Sequence, residues 1–398
     1  MSDLVVRALG TADRDRTIGL GEEAFGSWPG AVPDAPPVWP PDGMHAVGTF
    51  DGEALLAKVD GREFHSWFGG VEIPTWGIAG VAVSAEHRGR RLLRDLFTAS
   101  FAEARDRGMA VSTLYFTAAG IYRRIGYELV GGFDKVRLPT ETLTGVPPAE
   151  GIRLRRAVPG DGAAIHAVYA AWASRQNGPL TRTGPSFPGG ADRIIDRHTG
   201  VTLALDTDDQ VVGYVSWQRG TGYDASARIE VGDLLATTPD ATRALLRMLG
   251  TFASVTGSVV LRLSRPDPVD LALPALPPLA VQNHPYMLRV LDLPSAVEPR
   301  HYPPALDTSV GFTVTGDTFG ELDGGWRISV ADGTARCERA SGVDGPTLTV
   351  GGLSVLYAGV MGLSQLRLAG LATGGDPARD ADLDAVFVGP GFHVRDYF

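Results

Sequence analysis

Hydrophobic and polar positions follow two rhythms along this chain, one of period two and one near 3.6. Residues 4–8 (LVVRA) read as a short strand, and Thr11 to Trp28 follow with helical character after a Thr/Asp start. The stretch from Pro29 to Asp42, rich in proline and small residues, predicts a long loop. Three segments come next: HAVGTF, EALLAKVDG and EFHSWFGGVEIPTW. Asp-Gly turn signals separate them, which predicts an antiparallel meander. The nearly continuous apolar run Ile78 to Ser84 is a strand that enters a basic loop. Leu92 to Arg107 then places Leu92, Leu93, Leu96, Phe97, Phe101 and Ala104 on one helical face. Val111 to Phe116 is a further strand, and Gly120 to Ile125 a short helix.

The order then recurs. RALGTADRDRTIGL (7–20) resembles RAVPGDGAAIHAVY (156–169), each following a β-like run. HTGVTLALDTDDQVVGYVSWQR predicts a hairpin with an Asp-rich turn. ARIEVGDLLATTPDATRALLRMLGTFAS predicts a strand and a helix starting near Pro239. In place of a basic loop this second segment has ATTPDAT, so it reads as a duplicate that has lost its phosphate loop. Proline-rich stretches at 266–285 and 294–304 mark the next boundary. The remainder has four short strands (GFTVTG, WRISVAD, ARCERA, TLTVG) and two helical stretches, around 352–361 and 363–371, as in a small α+β domain. The expected limits are 1–150, 151–285 and 286–398.

Composition narrows the class. Of the 398 residues, 44% are hydrophobic and 21% charged, which excludes bulk disorder. A formal net charge of −10 disfavours nucleic acid as a partner. It suits a cationic ligand, or solubility alone. Cys337 is the only cysteine, so no intrachain disulfide forms, and the eight histidines show no metal spacing. The start carries charges where a signal peptide needs an apolar run, and the best apolar stretch, Val350 to Ala372, is broken by Gln365 and Arg367. A cytoplasmic protein without a membrane span or a metal is expected.

Two motifs carry chemistry. In VAVSAEHRGRRLLR (81–94) an apolar strand stops, a loop with arginines follows, and a helix begins. A helix N-terminus presents unpaired N–H groups and partial positive charge. Arg88, Arg90, Arg91 and Arg94 oppose that dipole unless an anion sits between them, so the loop reads as a diphosphate site. The alternative is a solvated basic patch. The second motif, YRRIGY (122–127), reads by itself as a core tyrosine before a helix-capping glycine.

Together the two motifs resemble the GCN5-related N-acetyltransferase (GNAT) superfamily, in which a central strand splays from its neighbour and acyl-CoA lies in the gap. The superfamily loop, [QR]-x-x-G-x-[GA], is matched at Arg88 but has Arg91 and Leu93 at its glycine positions, with Gly89 the only glycine. The strand-loop VAV-x-x-x-H-R, the G-I-Y-x-R-x-G-Y turn, the degenerate second copy and the aromatic end are similar to the Eis (enhanced intracellular survival) family. The resemblance implies a mixed α+β architecture: two tandem GNAT-like folds and a C-terminal domain like sterol carrier protein, assembled as a hexamer. It implies acetyl-CoA as co-substrate and a cationic amine as acceptor: an aminoglycoside, a polyamine or a lysine side chain. Tyr122 would be the general acid and the α-carboxylate of Phe398 the general base. Backbone groups of Val81, Ala82 and Val83 would hold the acetyl and pantetheine part. The loop Gly89, Arg90, Arg91, Leu92, Leu93 and Arg94 would hold the pyrophosphate, with Thr117 and Ala118 beside the pantetheine. Phe25, Trp28, Trp39 and Trp76 are candidates to line an amine pocket, and Asp396 to pair with a cation. Packing of each aromatic is the competing reading. A decayed, non-catalytic acetyltransferase is the alternative function, because two loop glycines are missing.

Overall fold

Residues 4–27, 38–274 and 279–398 are described by the computed structural model. Strand β1 (Val5–Ala8) leads through a short turn into helix α1 (Arg14–Phe25). Asp13 clamps that turn, accepting two hydrogen bonds from Arg7 at 2.8 Å and one from the Gly10 N–H. Strands β2 (Met44–Asp51), β3 (Ala54–Phe68) and β4 (Val71–Val83) form the expected antiparallel meander. The turn expected at Asp60–Gly61 does not form. β3 runs straight through it, and the chain reverses at Gly69–Gly70, both at positive φ. Gly61 answers a packing demand instead, since a β-carbon there would lie 2.1 Å from the Trp76 ring. Helix α2 (Leu92–Asp106) buries Leu92, Leu96, Phe97, Phe101 and Ala104 against the sheet. Strand β5 (Val111–Tyr115), helix α3 (Ala119–Arg123) and strand β6 (Glu128–Pro139) follow.

The second unit repeats this order with β7 (Arg153–Arg156), α4 (Gly162–Ala173), α5 (Asp192–Arg197), β8 (Gly200–Leu205), β9 (Val211–Arg219), β10 (Arg228–Ala236), α6 (Pro239–Gly250) and β11 (Ser258–Leu263). The duplication shows in detail. Arg155 grips Asp161 at 2.7 and 2.8 Å, and the Val158 N–H joins it, the same six-residue clamp as Arg7 on Asp13. The counterpart of Arg7 is therefore Arg155, one residue before the Arg156 that matching the two Arg-Ala pairs suggests. Both units also carry a β-bulge at one place. Gly80 and Val81 of β4 lie opposite Val59, and Gly232 and Asp233 of β10 lie opposite Ser216.

The two units trade their last strands. After α7 (Pro268–Ala272), strand β12 (Leu279–Val290) inserts between β5 and β6, while β6 pairs with β11. One 12-stranded sheet results, in the order β1-β2-β3-β4-β5-β12-β6-β11-β10-β9-β8-β7. A limit at 285/286 falls inside β12. Pro285, read as part of a boundary, lies opposite Gly132 in the middle of the sheet. A proline forfeits a ladder N–H there; the ladder tolerates it beside register shifts on either side.

The third unit comprises α8 (Leu293–Val297), β13 (Thr308–Thr315), β14 (Gly324–Ala331), β15 (Thr334–Arg339), β16 (Thr347–Thr349), α9 (Val350–Tyr357), α10 (Leu363–Leu368), β17 (Ala372–Thr373) and α11 (Asp380–Phe387). Its five strands order β15-β14-β13-β16-β17. The apolar stretch at 350–372 is two short helices packed in this unit's core with Phe312 and Trp326. Among the described residues no helix is long and apolar enough to cross a membrane. After α11 the chain returns to the large sheet and ends there.

Candidate active site

The loop between β4 and α2 turns left-handed at the first of the two positions where its sequence lacks a glycine. Arg91 has φ 62° and ψ 22°, the left-handed conformation a glycine takes without penalty. An arginine takes it at a cost of about 1–2 kcal/mol. Gly89 is also left-handed, at φ 80°. Leu93, at the second glycine position, lies within α2 and packs half-buried on the core. No side chain caps α2; the Arg94 N–H donates to the Arg91 carbonyl at 3.3 Å, which leaves those of Leu92 and Leu93 for a ligand. Arg88, Arg90, Arg91 and Arg94 stand exposed around them. This is a receptor suited to a diphosphate. In the second unit the same place is closed: Thr238 caps α6 by accepting from the Ala241 N–H, and Pro239 contributes no N–H at all.

Above the loop, β4 and β5 pair in parallel only over Thr75–Ile78 and Val111–Leu114. From Ala79 to Val83 β4 continues without β5 beside it among the described residues, and the bulge at Gly80–Val81 lies in that stretch. Val81, Ala82 and Val83 thus sit on an open strand edge whose peptide groups can meet an acyl chain. Thr117 and Ala118 are exposed on the connection from β5 to α3.

Tyr122 lies on α3 and packs edge-on against Phe97 and Tyr127, with ring centroids 6.3 and 6.2 Å away. It is 8% exposed, and burial pushes its hydroxyl up to about 12. The turn behind it is braced from the third unit. Arg289 on β12 donates to the Ile125 carbonyl at 2.9 Å and pairs with Asp317 at 2.6 Å. Gly126, at φ 88°, leaves room for that guanidinium, which a β-carbon would meet at 1.9 Å.

The end of the chain reaches the same region from the other face. The Phe398 ring lies over Gly77, where a β-carbon would meet it at 2.9 Å, and against Phe64 (4.8 Å) and Tyr115 (5.6 Å). Ionic locks fix the approach. Arg395 pairs with Asp267 at 2.6 Å, both buried, and Asp396 accepts from Arg182 at 2.9 and 3.2 Å while its carbonyl accepts from the Tyr115 hydroxyl. Arg182 also binds Asp233, the bulge residue of β10, at 2.5 Å. Burial would raise the Asp233 carboxyl, but Arg182 more than reverses this and holds it well below the usual range. Residues 396–398, with Phe64, Arg62 and Phe187, line a cavity of about 740 Å³ between the first two units.

Comparison with known proteins agrees with this geometry. Residues 5–130 and 178–290 match models of acetyltransferase (GNAT) domains, and residues 293–391 match a sterol carrier protein domain. The chain is 33% identical over 356 residues to an uncharacterised N-acetyltransferase of Streptomyces avermitilis, covering 82% of this chain and 81% of that one. It is 27% identical over 391 residues to N-acetyltransferase Eis of Mycobacterium tuberculosis, covering 92% and 90%. The crystal structure of a GCN5-related N-acetyltransferase from Kribbella flavida superposes with a TM-score of 0.85 at 29% identity, covering 100% and 98%. The chain belongs to the Eis-like GCN5-related N-acetyltransferases. It is an acyltransferase built of two GNAT units and a sterol-carrier-like unit, and the fold implies acetyl-CoA as co-substrate.

Within this Eis-like frame several expected pocket residues lie elsewhere. Trp76 is fully buried, stacks on His45 and donates to Ser100, so it is core and not pocket wall. Trp39 packs with Leu9, Ala46 and Phe50 by the edge strand β1. Phe25 is exposed at the end of α1 and does not line the cavity. Trp28 lies outside the described residues. Asp396 does line the cavity, with its carboxylate already paired: one Arg182 N–H is shared between its two oxygens, at 2.9 and 3.2 Å. Sequence reasoning missed Arg62, Arg182, Asp233, Arg193 and Arg197, all in the cavity wall. The strand glycine at each bulge, Gly80 and Gly232, is a sequence signal that could have pointed toward Asp233. The expectation of a cationic acceptor meets a wall rich in arginine.

Proposed function

We propose that this Eis-like enzyme moves the acetyl group of acetyl-CoA to a primary amine of a small molecule that enters the cavity, by direct attack. The observation that carries this reading is Phe398 over Gly77, at the point where β4 leaves β5. Phe398 also lines the cavity, which supports its α-carboxylate as the base between the cavity and the open strand. A volume of about 740 Å³ lies within the range of about 300–1,000 Å³ usual for small-molecule sites, which favours a metabolite-sized amine over a folded protein.

Bound acetyl-CoA supplies the activated acyl group; the rest falls to the chain. Arg88 to Arg94 and the start of α2 hold the diphosphate. Thr117 and Ala118 flank the pantetheine, and peptide N–H groups of Val81–Val83 polarise the thioester carbonyl. The Phe398 carboxylate accepts the proton that the amine loses. Such a carboxylate is a weak base in water, near pKa 3.5; the ring of the residue that carries it is fixed among Phe64, Tyr115 and Tyr286. Tyr122 donates a proton to the departing sulfur. A hydroxyl at about 12 against a thiol near 8.5 in water is mismatched by about 5 kcal/mol. A thiolate forming in the same dry cleft is raised too, which narrows the gap.

Thiol release from acetyl-CoA across a panel of amines tests the reading, with calorimetric titration of acetyl-CoA beside it. Tyr122→Phe is expected to lower kcat about 10²-fold or more. A few residues added after Phe398 are expected to abolish turnover in a folded protein. Wild-type rates in either variant remove that group from the mechanism, and no acetyl-CoA binding ends the reading. The alternative of a decayed, non-catalytic protein rests on the missing glycines. The left-handed Arg91 speaks against it, because the arginine takes a conformation open to the missing glycine.

A further inference from the structure

We propose that the acceptor amine also carries an anionic group, a carboxylate or a phosphate, and that Arg62, Arg193 and Arg197 receive it. The inference rests on the cavity being the acceptor site of the acetyl transfer proposed above.

The chain as a whole has a net charge of −10, yet the cavity wall has the opposite sign. Five arginines face two aspartates, and with a carboxylate at Phe398 added the wall still carries a net charge of +2, histidines being neutral. Both aspartates are consumed by one arginine, Arg182, which binds Asp233 and Asp396 together. Arg262 is engaged with the Arg395 carbonyl at 2.7 Å and lies 4.9 Å from the Phe133 ring.

Three cations are left. Among the described residues none of them has a carboxylate at ion-pair distance. Arg193 and Arg197 stand one turn apart on α5 and repel each other. Burial and then Arg193 pull the Arg197 guanidinium below its ordinary range. Arg193 finds only the Pro188 carbonyl, at 3.4 Å. Arg62 acts on the Asp60 carboxylate through space without a hydrogen bond to it, while Lys58 holds one of its oxygens at 2.6 Å. Its Nε is buried with no acceptor. Arg62 is also the β3 partner of Gly77, the residue that Phe398 covers. An anion on the acceptor relieves the repulsion on α5 and satisfies the Arg62 donor. A diamine adds positive charge to a wall that already has an excess.

The test compares ω-amino acids and aminoalkyl phosphates with alkylamines and diamines of equal chain length, by thiol release from acetyl-CoA and by equilibrium binding to the full protein. The anionic amines are expected to bind and react at least about tenfold better in kcat/KM than the diamines, the scale of one charge-assisted contact. The carboxylate and phosphate series separate the two anion sources. Arg193→Glu with Arg197→Glu, both exposed and remote from the core, should reverse the ranking. Acetylation or binding of diamines ahead of amino acids, or an unchanged ranking in the double variant, overturns the inference while leaving the transferase reading intact. Failure to bind acetyl-CoA overturns both.

Discussion

Arg289 on β12 and Asp317 of the third unit meet at 2.6 Å with both side chains buried, and Arg289 spends its other arm on the Ile125 carbonyl behind Tyr122. Burial pushes the Asp317 carboxyl up, but Arg289 and the N–H groups of Leu322 and Phe319 hold it below its usual range. Removing one partner leaves a buried charge, at a cost of about 3–5 kcal/mol. Asp317→Asn is therefore expected to lose about 3 kcal/mol in denaturant unfolding and to lower kcat, because the Tyr122 turn loses its brace. An unchanged midpoint would show that the pair braces nothing. The third unit then counts as part of the active-site scaffold.

Arg91 in the left-handed region predicts a gain from a substitution. Arg91→Gly removes the cost of that conformation and should raise stability by about 1 kcal/mol. It also removes a cation beside the diphosphate, so acetyl-CoA should bind somewhat more weakly. Thermal unfolding and calorimetric titration read the two effects separately. A loss of stability would mean that the arginine side chain contributes more than its backbone costs.

The raised Tyr122 pKa has a defined sign. The hydroxyl stays protonated until about pH 12, so the proposed acid holds its proton across the ordinary range. The kcat profile is expected to show no basic limb from this group up to about pH 10, its value in water. In stability, the contribution of a raised group is fully present below about pH 10 and is lost as pH rises through about 12. Alkaline unfolding should set in later for Tyr122→Phe. A basic limb that disappears in Tyr122→Phe would contradict the assignment.

The two clamps, Arg7 on Asp13 and Arg155 on Asp161, predict acid behaviour. Hydrogen bonds from the arginines lower both carboxyls to about 2. Depressed carboxyls contribute stability that is present above about pH 4 and is lost as pH falls through about 2. Asp13→Asn should reduce stability at neutral pH and flatten its loss between about pH 4 and 2. Equal acid slopes in the variant and the parent would exclude the clamp as a source of the acid sensitivity.

Much of the site is legible in the residue pattern alone. The arginine loop, the helix after it and the Tyr122 turn are local patterns, and periodicity reports burial one residue at a time. Two positions show where that reading stops. Gly61 reads as a turn because Asp-Gly usually is one, but it is a strand glycine beneath Trp76. Arg91 reads as a broken motif because composition does not reveal φ.

The amino-acid order therefore sets the elements, their duplication and the candidate site residues near 81–127. Each follows from neighbours within a helical turn or a hairpin. Tertiary packing decides that β12 and β6 change places, that Asp233 and Asp396 share Arg182, and that arginines from β3 and α5 share one cavity. Those relations join residues more than a hundred positions apart. They are settled by which surfaces exclude water together and which charges must then be paired, and no local pattern encodes that choice.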